Sequence, residues 1–457
     1  MRVRDVVVVF LLLAPGIAPA GAWGEGGSNW GPIEPVSGQN PGQDLVLFAD
    51  PLGNGFASWR ENTVRVLAVR PPGGPVGPGT LSPQPGANWQ TLQMRFDAQG
   101  NAVVAWNAGS SVRAAWRSAG ADGQFGAVQT VTANASGFTL AVNDTGDALL
   151  VWVEAGSTSR VRAALRPAGA TSTFGANQVL STASGVSALS FARGVIDADR
   201  GATAVWLAAG GWMQSQQPPL PPGTSATQFA GEVQFSPPYA AQDFALNPAG
   251  AAILTFMTSD GGNPARLGLA ASHRPPGGAF GAPQALWADA GADATRSRAA
   301  LGANGHGMVA FEVIPASVPC GPDRFSVFAS RMSPDGVFDA AARVSETETQ
   351  DRRPDVAVDQ DGHAWLVWES LSYDPMPPPC PIVAPPAVIV ARQAPVSGGV
   401  GVLTDLSRVP GENAANPRIA LGPDGHGFAA WEVQGRAQGA AYEPGPLPDE
   451  VFASGFE

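Results

Sequence analysis

The chain has 457 residues, of which 44% are apolar and only 14% charged, with 57 Gly and 43 Pro. That balance excludes a disordered chain, which is poorer in apolar residues and richer in charge, and it leaves material for a large core. The net charge of −12, with all 26 basic residues Arg and none of them in a run, excludes a nucleic-acid binder, which needs clustered positive charge to displace counterions.

At the N-terminus Arg2 and Arg4 precede the apolar stretch Val6 to Ala14, and Ala18-Pro19-Ala20 or Ala20-Gly21-Ala22 offers a small-residue cleavage site. This is the layout of an export signal, so residues 1–22 are expected to be removed and the protein to be secreted or periplasmic. Pro15 and Pro19 cut the apolar stretch well short of the about 20 residues a membrane span needs. No later segment is long and apolar enough either, so no membrane span is expected.

From there one hairpin pattern recurs eight times: a Gly, a small residue two later, an aliphatic or Ala two after that, and an aromatic six after the Gly. It reads Gly53 to Trp59, Gly100 to Trp106, Gly146 to Trp152, Gly250 to Phe256, Gly305 to Phe311, Gly362 to Trp368 and Gly425 to Trp431. The remaining copy ends at Trp206, with Gly201 one place late. The anchors lie 46 to 63 residues apart, a period that marks a propeller or an array when it is built from short strands. Asp or Asn followed by Gly suits a turn with positive φ, as in Asp97 to Gly100. The strand after it alternates with period two, so small, medium and aromatic residues share one face. A third strand follows, such as Val112 to Trp116, and a fourth opens with Phe-Gly, as at Phe125-Gly126, Phe174-Gly175 and Phe280-Gly281. Four strands per unit make one blade. In blade four the third strand is not legible, because Trp212-Met213 runs into a Pro-rich stretch ending at Pro222.

Unit eight shows no fourth strand, whereas Trp30 to Ser37 aligns without a gap on Phe174 to Ser181. The N-terminal segment is therefore expected to supply the outer strand of the last blade and close the ring, removing an open edge. The fold class is all-β, an eight-bladed propeller over residues 23–443, with seven or nine blades as the alternatives. Residues 444–457 form a tail.

With these features the chain resembles exported bacterial β-propellers of the sialidase-like and WD40-like architecture over nearly all of residues 23–443. The resemblance is architectural: the Trp-Asp pair of WD40 repeats is absent, and Asp97 to Gly100 does not have the spacing of a sialidase Asp-box. The last residues, Phe452 to Glu457, are similar to the Phe-x-x-Gly-Phe-Glu ends of many exported proteins of Gram-negative bacteria.

His306, His363 and His426 each follow a turn Gly. Metal ligands must converge to about 2 Å from one ion, and equivalent turns on packed sheets stand about 10 Å apart. These His therefore read as turn residues, and no metal or cofactor is expected. Asp359-Gln360-Asp361-Gly362 opens like a calcium loop but lacks its later ligands. Glu312, Glu369 and Glu432 each follow an anchor aromatic, and Glu154 lies two past its own. Two readings are open: carboxylates that bond loop amides, or acid–base groups acting at a glycosidic bond. Arg70, Arg117, Arg166, Arg274, Arg331 and Arg392 recur at the end of the third strand and read as structural. No Arg triplet of the sialidase kind can be recognised.

Departures from the repeat are stronger functional candidates, because the fold does not require them. Ile314 to Pro322 lengthens blade six and Leu371 to Pro386 lengthens blade seven, both between second and third strands. The mixed-charge entry to blade seven, Glu346 to Arg353, reaches the same face. Ligand-binding residues are expected there: Glu312, Glu369, Glu432, Arg352, Arg353 and Tyr373. Cys320 and Cys380 fall in these two loops, and an even Cys count in an exported chain favours a disulfide between them. The expected function is binding without catalysis, by a monomer, of an extracellular polysaccharide or an envelope protein. A carbohydrate-active hydrolase or lyase and a structural envelope component are the alternatives.

Overall fold

The computed structural model describes residues 30–37, 43–61, 64–78, 91–120, 122–156, 159–181, 191–237, 239–259, 261, 266–289, 291–315, 325–346, 349–372, 386–397, 399–407 and 412–444. Residues 1–22, Cys320, Tyr373, Cys380 and all but the first residue of the tail lie outside them. Every sheet is antiparallel, and there is no helix among the described residues.

Blade two sets the pattern, with Leu92–Phe96, Ala102–Ala108, Ser111–Arg117 and Gln129–Thr132 as consecutive neighbours from the central channel outward. Eight such sheets form an eight-bladed propeller. Seven have four strands, and blade one has three among the described residues. An apolar cluster fills each of the eight interfaces between adjacent blades. One example joins Val103 and Ala105 of blade two to Leu140 and Trp152 of blade three, and another joins Trp59 of blade one to Ala430 of blade eight. The anchors Trp59, Trp106, Trp152, Trp206, Trp368 and Trp431 are fully buried there.

The turn before each second strand has an electrostatic cause. Asp97 accepts from Gln99 N at 3.0 Å and Asn101 N at 2.8 Å, and Gly100 takes φ 81°. In blade four Arg200, not Gly201, holds the positive-φ position at 68°. Its guanidinium reaches back to Asp147 of blade three at 2.6 Å, which gives a physical reason for the displaced Gly. The third strand of blade four, illegible in the sequence, is a full seven residues, Gly211–Gln217. Its polar residues Gln214 and Gln217 are buried but satisfied: Gln214 exchanges two bonds with the Phe280 backbone, and Gln217 bonds Arg200 O and Gln228 N.

Glutamine amides also tie blade to blade. Gln129 brackets the Phe174 backbone at 2.7 and 2.8 Å, and Gln178 brackets Phe229 at 2.9 Å on both sides. The recurrent third-strand Arg side chains are structural in the same way: Arg166 bonds carbonyls of its own outer loop, and Arg274 crosses to Asp197 of blade four. The ring closes as the sequence implies. Glu34–Pro35 pairs with Arg436–Tyr442, Gly31 N donates to Ala441 O at 2.8 Å and Val36 N to Ala437 O at 2.9 Å. Gly175 N and Leu180 N make the matching bonds in blade three, to Leu165 O and Val161 O.

Candidate functional site

Irregular pairing of the innermost strand with its neighbour occurs in several blades, three and five among them, but blades six, seven, eight and one share one arrangement. Register shifts lie between Thr295 and Arg298, Arg352 and Asp355, Ala415 and Arg418, and Gln43 and Val46. In each bulge the first extra residue takes positive φ: Arg296 at 48°, Arg353 at 53°, Asn416 at 53° and Asp44 at 53°. A non-Gly residue in that region costs on the order of 1–2 kcal/mol, so something must hold it.

At two of the four, what holds it is the Glu after the anchor aromatic of the preceding blade. Arg353 N donates to Glu312 Oε1 at 2.5 Å, and Asn416 N donates to Glu369 Oε1 at 2.7 Å. Each carboxylate thus fixes the bulge of the next blade. Within its own blade it meets the bulge side chain. Arg296 Nε lies 3.5 Å from Glu312 Oε2, Arg353 Nη1 lies 2.9 Å from Glu369 Oε1, and Asn416 Nδ2 donates to Glu432 Oε2 at 3.0 Å. Arg352 Nε closes on Glu369 Oε2 at 2.9 Å. The sequence Arg296, Glu312, Arg353, Glu369, Asn416, Glu432 is therefore one connected polar chain across three blades. Blade one carries the same motif with its charges exchanged: Asp44 occupies the bulge, and Arg60, after Trp59, pairs with it at 3.0 Å.

The carboxylates lie beneath and the guanidiniums above. Glu312 and Glu369 side chains are 2% and 0% exposed, whereas Arg296 is 63% exposed. Burial pushes the Glu312 carboxyl up from its ordinary value, opposed by the Arg353 amide and by Arg296. Burial also pushes Glu432 up, opposed by Asn416. Chemically, the face offers outward guanidinium forks, which suit carboxylate and sulfate oxygens. It also offers two carboxyls disposed to hold a proton.

Of the residues singled out in the sequence, the fold brings Glu312, Glu369, Glu432, Arg352 and Arg353 together. Glu312 and Glu369 bond strand-bulge amides of the next blade rather than loop amides, and Glu432 bonds the Asn416 side chain. Glu154 stands apart, paired with Arg162 at 2.8 Å. Sequence reading missed Arg296, Asn416 and Asp44. Pro354 and Pro417, each just after a bulge residue, are a signal for two of them, since Pro inside a strand marks a bulge or an edge. No Arg triplet was legible because Arg296, Arg352 and Arg353 converge on Glu312 and Glu369 only through these bulges. His363 and His426 pair locally with Asp359 and Asp424 at 3.3 and 2.8 Å. No group of three or more His, Cys, Asp or Glu able to hold a metal occurs among the described residues. No helix there is long and apolar enough to cross a membrane.

No family model matches the chain, and no curated protein does. Solved structures do. The Dos1 propeller is 8% identical over 91% of this chain and 97% of its own, with a TM-score of 0.50. An ulvan lyase, a polysaccharide lyase, is 11% identical over 89% of this chain and 95% of its own, at 0.45. A puromycin hydrolase is 14% identical over 87% of this chain and 58% of its own, also at 0.45. Likeness at this level of identity speaks to the fold alone.

Proposed function

We propose that this is an exported binding propeller, and that the face of blades six to eight binds an extracellular polysaccharide. The observation that carries the reading is the connected chain from Arg296 to Glu432. Buried carboxylates there hold strained bulges so that Arg296, Arg352 and Arg353 face outward. Strain held in place at one sector of a symmetric ring is what a binding site requires and a scaffold does not. The long loops of blades six and seven leave the sheets from the same edge, a few residues beyond Glu312 and Glu369.

The test is binding of the purified protein to a panel of neutral and acidic polysaccharides. Arg296→Gln removes a mostly exposed guanidinium, so its effect on stability should stay within about 1 kcal/mol. Binding should fall about tenfold or more, as expected when a charge-assisted contact is lost. The second strand of blade seven runs to Ser372, so shortening residues 373–385 to the blade-three loop length should leave folding intact and abolish binding. Unchanged affinity in both variants refutes the site.

The raised carboxyls of Glu312 and Glu432 favour a second reading, a carbohydrate-active hydrolase or lyase in which one of them serves as proton donor. Depolymerisation of any panel member, lost in Glu312→Gln or Glu432→Gln, would establish it. In either reading a bridge between Cys320 and Cys380, which lie outside the described residues, is the expected pairing. The bridge encloses about 60 residues and is worth roughly 4 kcal/mol in the chain-entropy account. Thiol titration of unreduced, denatured protein from its native compartment should find no free Cys; two thiols would refute the bridge.

A further inference from the structure

The innermost strands place one equivalent residue per blade at the same level of the central channel, opposite the residue before each anchor aromatic. In blade order from one to eight these are Val46, Gln93, Thr139, Arg193, Asp243, Arg298, Asp355 and Arg418. From blade four to blade eight the charges alternate, beginning and ending on Arg. One layer along, the equivalent positions are small or apolar except for Arg95 of blade two. That these groups share one lumen follows from their fields: Arg95 and Arg193 both feel Asp243, although blades two and five lie three apart around the ring.

The uncharged and acidic members of this ring are committed to the scaffold. Gln93 accepts from Leu140 N at 2.9 Å, and Thr139 donates to Ala192 O at 2.9 Å. Asp243 accepts from Ala299 N at 2.8 Å, and Asp355 from Ile419 N at 3.0 Å. Each ties one blade to the next. The arginines are not so committed. Arg95, Arg193 and Arg418 each bond only the carbonyl of the preceding residue, Met94, Ala192 and Pro417. Among the described residues none of the three has a carboxylate within ion-pair distance, whereas Arg298 lies 3.8 Å from Asp355. Arg193 sits over Phe191, its guanidinium carbon 3.4 Å from the ring centre. Burial pushes it down to about 10, with Asp243 opposing.

Arg95, Arg193 and Arg418 are each partly exposed to the channel, and a partly desolvated charge is stabilised when a counter-charge meets it. Four Arg against two Asp, both Asp turned to backbone amides, leave the lumen positive inside a chain whose net charge is −12. Arg forks match the oxygens of carboxylate, sulfate and phosphate groups. We propose that the central channel is an oxyanion-binding site in which Arg95 and Arg193 hold a carboxylate, sulfate or phosphate group. The site lies along the channel wall and does not depend on the polysaccharide reading of the bulged face.

The test is thermal unfolding of the purified protein in low-salt buffer, titrated with inorganic sulfate or phosphate and, at equal ionic strength, with chloride. The wild type should show a saturable rise in Tm with the oxyanion beyond that with chloride. Arg193→Gln and Arg95→Gln should each need about tenfold or more anion for the same rise. In anion-free buffer both should melt at or above the wild type, because an unpaired charge has been removed. Arg160→Gln, at an exposed position on the third strand of blade three and outside both the channel and the bulged face, should respond like the wild type. A glucuronate or sulfated monosaccharide arm identifies the source. Saturation there as well as with the inorganic ion points to a group carried on a glycan, and saturation with the inorganic ion alone points to a free ion. No saturable response, an equal response in the channel variants, or a channel variant that fails to fold or melts lower without anion overturns the proposal.

Discussion

Removing residues 23–38 is expected to abolish cooperative unfolding and drive the protein into aggregates. The deleted segment carries Trp30, which is 3% exposed and packs edge-on against Trp365 at 5.3 Å and against Tyr442 at 5.4 Å. Losing one buried Trp side chain costs about 3–5 kcal/mol by itself. The deletion also strips the bonds from Gly31, Val36 and Ser37 to the last strand, and the Ser37 Oγ contact to Ala437 N at 2.9 Å. Glu34, which pairs with Arg70 at 2.8 Å, is lost too, and with it a link from blade eight to blade one. Arg436–Tyr442 then becomes an open edge, a template for intermolecular pairing. Against a total stability of about 5–15 kcal/mol for a folded domain, the sum is severe. Trp30→Ala separates the effects: it should lower stability by about 3–5 kcal/mol while unfolding stays cooperative. A truncated protein that melts like the full chain would show that the blades stand without closure.

The closure was legible because outer strands carry a strong local pattern, an aromatic and Gly followed six residues later by Ser at both Ser37 and Ser181. The same holds for the second strands, where Gly, small, aliphatic and aromatic recur at fixed offsets. Blade four shows where this logic fails. Gln214 and Gln217 break apolar alternation yet are buried, because loop carbonyls and amides satisfy them. A pattern that counts apolar residues cannot see a polar residue whose partner lies 66 positions away. The candidate site was half legible for a related reason. Glu312, Glu369 and Glu432 stand out as departures after an anchor, but their partners lie in the bulge of the same or the next blade. Only the register of the sheets brings Arg353 N to Glu312 and Asn416 N to Glu369. The alternating charges of the channel wall were invisible altogether, since its residues are about one blade apart in sequence and each alone looks like an ordinary strand residue.

Asp197→Ala should be among the most destabilising single substitutions in the propeller, at about 3–5 kcal/mol. Asp197 begins the turn of blade four, where its Oδ1 and Oδ2 meet Arg274 Nη1 and Nη2 of blade five at 2.8 and 2.7 Å. The same carboxylate accepts from Gly277 N at 2.9 Å. Asp197 and Arg274 side chains are 6% and 1% exposed, so water does not replace the lost partner. The Arg274 Nε bond to Thr203 Oγ1 at 2.9 Å holds the guanidinium in place. The turn itself survives, because Asp199 Oδ1 caps it by accepting from Gly201 N at 3.0 Å. The loss therefore reports an uncompensated charge at the interface of blades four and five rather than a broken hairpin. The exposed pair Arg60 and Asp44 gives the contrast, with side chains 38% and 54% exposed; breaking it should cost no more than about 1 kcal/mol. Replacing both Asp197 and Arg274 by apolar residues of similar volume should recover much of the loss. Urea unfolding of the single and double variants measures all three terms. A single variant within 1 kcal/mol of the wild type would mean that water reaches Arg274 and that the interface is not dry.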